Sequence, residues 1–242
     1  MKKGYGVFGK AYEIMLKNDL HDLNSIDHKL IREMILLEPD SYPILYGVHP
    51  VVPDMKAHDL YDFAQSFRGS TDSVSIQNIL AYTSNIANNF SLSFEEMQFG
   101  GTEQEILSRG TDWCADMARV AVVLLNCLGI PARILHLANL EKAYNGHVIV
   151  EAFYEGKFGV IDPLYGYCFY EGKPLDAYTL MSETDHLKDY DVDYRNLFRK
   201  IAISEYDPLD TDNDYSISSV NNYSRTLLST AHNGRWIMGE DK

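Results

Sequence analysis

Cys114, His147 and Asp162 occur in that order along the chain, and together these residue types can run acyl chemistry. A thiolate attacks a carbonyl carbon, an imidazole carries the proton, and a carboxylate fixes the imidazole in one tautomer and orientation. Cys114 opens a long apolar run, His147 opens an apolar segment, and Asp162 closes the next one. Cys127 and Cys168 lack such company and read as core cysteines. His136 stands on the preceding segment and is the base that a different register would select.

The elements around these residues have legible ends. Thr111 or Asp112 is a natural N-cap, Ala115–Leu128 reads as a helix buried on most faces, and Gly129 with Pro131 stops it. Free amides and the dipole at that helix start favour a thiolate at Cys114 and supply an oxyanion donor, while Asp112 and Asp116 oppose the thiolate by like charge. Ala132–Leu137, His147–Tyr154 and Lys157–Asp162 read as strands, with Leu140–Gly146 a loop and Glu155-Gly156 a two-residue hairpin turn. That turn pairs Tyr154 with Lys157 and sets Asp162 opposite Ile149. His147 and Asp162 are then diagonal neighbours on one face, with Cβ atoms about 7 Å apart. A three-residue loop would reverse the parity and separate them. Trp113, Tyr165 and Tyr167 are candidates to line a substrate cleft, with aromatic core the alternative.

Elsewhere the periodicity is mostly helical. Residues 1–40 carry helical spacing through Leu30, Ile31, Met34, Ile35 and Leu36, with Asn24 or Ser25 as a cap. Prolines 43, 50 and 53 make residues 40–53 a loop, and Asp59–Phe67, Val74–Phe90 and Thr102–Ser108 read as helices. Residues 175–206 return to a helix-like interval through Leu187, Tyr190, Tyr194, Leu197, Phe198 and Ile201. The division expected is a mostly helical region 1–98, a catalytic core 99–206 and a C-terminal tail or lid 207–242.

Acidic residues outnumber basic ones 35 to 21, a formal charge of −14, and no basic run offers a phosphate backbone a partner. No stretch reaches membrane-spanning length. Three cysteines without paired spacing argue against a disulfide framework. The expectation is a cytoplasmic protein with no metal, no cofactor, no nucleic acid and no membrane partner, and composition leaves its oligomeric state open.

The stretch Leu128-Gly129-Ile130-Pro131-Ala132-Arg133, preceded by a helix opening at Cys114 and followed by His147 and by Asp162-Pro163-Leu164-Tyr165-Gly166, resembles the transglutaminase-like superfamily, bacterial type. The resemblance covers roughly residues 100–180. It implies an α+β, papain-like fold, with the cysteine helix packed on an antiparallel sheet and a mostly helical N-terminal region, and a Cys114-His147-Asp162 triad. Bacterial members often place glycine two residues before the nucleophile, where this chain has Asp112. The oxyanion side chain is unassigned, with Gln77, Asn78 and Asn85 as candidates. The paired CxxC motif of peptide N-glycanases is absent, and arylamine acetyltransferases fit the motifs less well.

The resulting expectation is a cysteine-dependent amide hydrolase, peptidase or deamidase, working through a thioester on a peptide, protein or small amide substrate. Acyl transfer to an amine, by a transglutaminase or amide synthase, is the close alternative. A non-catalytic binding or scaffold protein that keeps the fold is the other.

Overall fold

The computed structural model describes residues 35–92, 98, 100–139, 145–206 and 209. The helix and cap expected before residue 35, the loop at 140–144 and most of the tail after 206 lie outside the described residues. In chain order the elements are β1 (Ile35–Leu36), α1 (Tyr42–Tyr46), α2 (Tyr61–Gln65), α3 (Asp72–Asn89), α4 (Glu103–Arg109) and α5 (Cys114–Cys127). They continue with β2 (Ala132–Asn139), β3 (Asn145–Tyr154), β4 (Lys157–Asp162), β5 (Tyr167–Cys168), α6 (Ala177–Ser182), α7 (Val192–Leu197) and β6 (Lys200–Ser204). The described strands form one antiparallel sheet in the order β1-β6-β2-β3-β4-β5. The fold is α+β, with helices on both faces of that sheet.

Helix α5 is the centre of the molecule. Its residues from Met117 to Leu125 are buried, including the charged Arg119, as a helix apolar nearly all round must be. It packs between α2 and α3 on one side and the sheet on the other, with Ile76, Ile79, Met117, Val120, Val148 and Val150 in one core. Its end is a glycine cap: Gly129 has φ +80° and Ile130 N–H donates to the Leu125 carbonyl at 3.0 Å. The opposite face of the sheet is covered by α6 and α7, whose Leu180 and Leu197 meet Leu135, Ile149, Val160 and Ile203 in a second core.

Local periodicity misassigns several residues. Ile35 and Leu36, expected in a helix, form β1 by pairing with Ile203 and Ala202 of β6. Ile201 and its neighbours, expected in a helix, form β6 against β2. Tyr42–Tyr46, expected as loop, is a short helix with proline in its first turn, where the missing N–H costs nothing. The cap of the cysteine helix is Trp113, without a side-chain bond. Thr111 Oγ1 instead accepts from Trp113 N–H at 2.9 Å.

Charged side chains close the gaps between layers. The buried Arg133 guanidinium lies 3.8 Å from the Phe158 ring centre and donates to Glu151 at 2.8 Å. Glu151 also accepts from Tyr46 at 2.9 Å and from Ala177 N–H at 2.8 Å, tying α1 and α6 to the sheet. On the other face Arg119 donates to Glu103 at 2.7 Å, and Glu103 also accepts from Tyr206. Each buried charge thus has a partner, the condition under which burial is tolerated.

Candidate active site

The hairpin β3–β4 sets the geometry. Tyr154 pairs with Lys157 and Val150 with Ile161, the register that a two-residue turn at Glu155-Gly156 requires. Both turn residues have positive φ, +52° and +81°, the type I′ geometry that matches strand twist. By alternation His147 shares the face of Ile149, and Asp162 that of Val160. His147 Nε2 and Asp162 Oδ2 are 2.7 Å apart, with both side chains at 0% exposure.

Asp162 is fixed by more than the histidine. Its Oδ1 accepts from Leu164 N–H at 3.0 Å and Tyr165 N–H at 3.2 Å, closing the turn through Pro163. Tyr194 of α7 donates its hydroxyl to Oδ2 at 2.7 Å. Burial and the Asp162 carboxylate hold the Tyr194 phenol far above its ordinary value, so it remains a donor. A carboxylate with four such partners has little freedom to rotate.

Asp162 occupies Nε2, so Nδ1 is the imidazole nitrogen left to face the thiol. Cys114, at the first position of α5, hydrogen-bonds to His147. Burial disfavours the charged ring, but the Asp162 carboxylate, its hydrogen bond and the sulfur of Cys114 outweigh it and push His147 up to about 10. The imidazolium is therefore the resting form near neutral pH.

The cysteine comes from the helix on one face of the sheet and the His–Asp pair from the other face. His147 lies past the last β3–β4 pair, Val150–Ile161, where β4 no longer pairs with β3, so its ring is open to the start of α5. The repulsion expected from Asp116 is offset, since Arg109 donates to it at 2.8 Å and Gly100 N–H at 3.1 Å.

A cleft of about 170 Å³ opens onto Cys114, lined among others by Asn88, Asp112, Trp113 and Tyr165. Trp113 is 8% exposed and Tyr165 46%, and the Tyr165 ring centre lies 5.5 Å from that of His147. Tyr167 stacks behind Tyr165 at 5.6 Å and does not line the cleft. Gln77, Asn78 and Asn85 do not line it either. Asn78 donates to the Phe67 carbonyl at 3.1 Å and Asn85 accepts from Asn89 at 3.0 Å. Among the described residues Asn88, in the last turn of α3, lines the cleft.

His136 is not an alternative base. It faces Ser204 Oγ at 2.8 Å, and burial pushes it down to about 3, so it stays neutral. Cys127 is buried, and Cys168 lies 3.7 Å from the Tyr154 hydroxyl. Two residues of the site, Tyr194 and Asn88, escape a reading of the sequence. Tyr194 carries only a core-like period, and Asn88 one more polar residue near a helix end.

A cysteine at the start of a buried helix, beside a His–Asp pair on adjacent antiparallel strands, has the layout of papain-like thiol enzymes. Residues 61–167 match the family model of the transglutaminase-like superfamily, so this part of the chain is similar to a transglutaminase-like core. The match begins within α2, whose side chains share the core of α5. No curated protein matches the chain. A crystal structure of a proposed cysteine protease from Cytophaga hutchinsonii is similar over 53% of this chain at 22% identity, with a TM-score of 0.37. The similarity takes in 43% of that protein, so this chain spans less than half its length. The family match supports a cysteine-dependent enzyme in general terms. Among the described residues no helix is long and apolar enough to cross a membrane.

Proposed function

We propose that the chain is a cysteine-dependent amide hydrolase with Cys114 as nucleophile, His147 as acid and base, and Asp162 as orienting carboxylate. The observation that carries this reading is the buried 2.7 Å His147–Asp162 contact beside a helix-initial cysteine that opens on a cleft. Cys114 attacks the amide carbonyl carbon, and the oxyanion that forms meets amides at the start of α5. The imidazolium gives its proton to the leaving amine as the C–N bond breaks, leaving a thioester. Water then attacks with His147 as base, the acid departs and the thiol is restored. An amine in place of water would give acyl transfer through the same thioester.

The test is iodoacetamide alkylation mapped by mass spectrometry in the wild type, His147→Ala and Asp162→Asn. Cys114 is expected to label at pH 6–7 at least tenfold faster than Cys127 or Cys168, and to lose that lead without His147. Slow labelling of Cys114, unchanged by either substitution, would favour a fold kept for binding alone.

A further inference from the structure

The Asp162 carboxylate has its acceptor positions filled, and one of its donors comes from an element apart from the triad. Oδ1 accepts from the amides of Leu164 and Tyr165. Oδ2 takes two groups at once, His147 Nε2 and the Tyr194 hydroxyl of α7, each at 2.7 Å. All three side chains are buried, so water has little access to that shared oxygen. Tyr194 also lies beyond residue 167, where the family match ends.

A hydrogen bond to a carboxylate stabilises its ionised form and lowers its affinity for a proton. The Tyr194 bond therefore weakens the pull of Oδ2 on the Nε2 proton of the imidazolium. What one ring nitrogen bonds governs the other: an imidazolium drawn less strongly at Nε2 releases its Nδ1 proton more readily. The other titratable groups around the pair are Cys114 of α5, Tyr165, Tyr167 of β5 and Tyr190 of α7, with Cys168 and Asp189 beyond Tyr190. None of these side chains donates to Asp162.

We propose that Tyr194 is a positioning residue for the acyl chemistry, restraining through Asp162 the hold on the imidazolium so that His147 is acid enough to protonate the leaving amine. This rests on the Cys114-His147-Asp162 reading. A hydroxyl that served only to dock α7 would leave the proton affinity of His147 unchanged.

The test reads that affinity directly. Cys114 is capped as its methyl disulfide by methyl methanethiosulfonate, which releases methanesulfinate and takes the sulfur's charge out of the pair. His147 is then titrated by NMR of nitrogen-labelled histidine, its signal assigned with His147→Gln. Four proteins are compared: the wild type, Tyr194→Phe, a chain with meta-fluorotyrosine at position 194, and Tyr190→Phe. Phenylalanine keeps the ring and removes the donor, whereas fluorine makes the hydroxyl a stronger donor. Tyr190 stacks on Tyr194 at 5.7 Å, so its variant reports disturbed packing of α7 alone.

The His147 midpoint is expected to rise by at least about 0.5 pH in Tyr194→Phe and to move by less than about 0.2 in Tyr190→Phe. With fluorotyrosine it should fall. A midpoint unmoved in Tyr194→Phe, moved equally in Tyr190→Phe, or moved in one direction by both changes at position 194 overturns the proposal while leaving the nucleophile intact. If Tyr194→Phe does not fold, the fluorotyrosine protein decides, and a midpoint that fails to fall overturns the proposal. If methyl methanethiosulfonate shows no preference for Cys114, or none that depends on His147, the nucleophile reading fails and the role of Tyr194 falls with it.

Discussion

His147 carries a positive charge in a site where its side chain has no exposure to water, and that has a measurable cost and benefit. Its ordinary value is 6.5 and the fold pushes it up to about 10, so folding takes up a proton between those limits. The stability gained is fully present below pH 6.5 and is lost as pH rises through about 10. Urea unfolding of the wild type and His147→Gln from pH 6 to 10 isolates it. The wild type should lose more stability across that range, by about 4 kcal/mol, and parallel curves would contradict the ion pair. His136 shows how environment sets such behaviour. With a hydroxyl for a partner, burial alone governs it and keeps it neutral.

At the scale of elements, turns decide where the catalytic groups point. Gly166 closes the turn that pins Asp162: its N–H donates to the Asp162 carbonyl at 2.8 Å, and its φ is +74°. A methyl group there would sit 3.0 Å from Ser84 Oγ. Gly166→Ala is therefore expected to cost about 1–2 kcal/mol and to slow Cys114 alkylation as the turn amides shift off the carboxylate. Gly156→Ala has φ +81° but meets nothing within 4 Å. It should cost about 1 kcal/mol and leave alkylation unchanged, so urea titration with labelling rates separates the two. The hairpin is legible in the sequence because Glu155-Gly156 is a local signal and strand parity follows from it. The helix was legible from its apolarity and from Gly129-Ile130-Pro131. Strand β1 was not. Two residues hold no period, and Ile35–Leu36 are extended only because β6 offers them an edge. Tyr194 was illegible for a similar reason, since its donation to Asp162 depends on where α7 docks.

For the whole molecule, β6 joins the parts. It pairs with β1 on one side and β2 on the other, places Ser204 against His136 and leads to Tyr206, which binds Glu103 and Arg119. A chain ending at Arg199 would strip an edge from β2, orphan β1 and leave His136 without its hydroxyl. Unpaired edges are sites of aggregation. Such a truncation is expected to lose near-ultraviolet circular dichroism and elute as aggregates on size exclusion. A monodisperse, cooperatively unfolding product would show that the core stands without β6.

The type I′ turn also makes this protein a convenient object for engineering. It lies at the opposite end of the hairpin from His147, about 23 Å away at strand rise, while the two-residue turn keeps the Tyr154–Lys157 register intact. A fluorophore carried on the side chain at position 155, with the loop length unchanged, would ride on the hairpin tip and signal unfolding with the nucleophile left undisturbed.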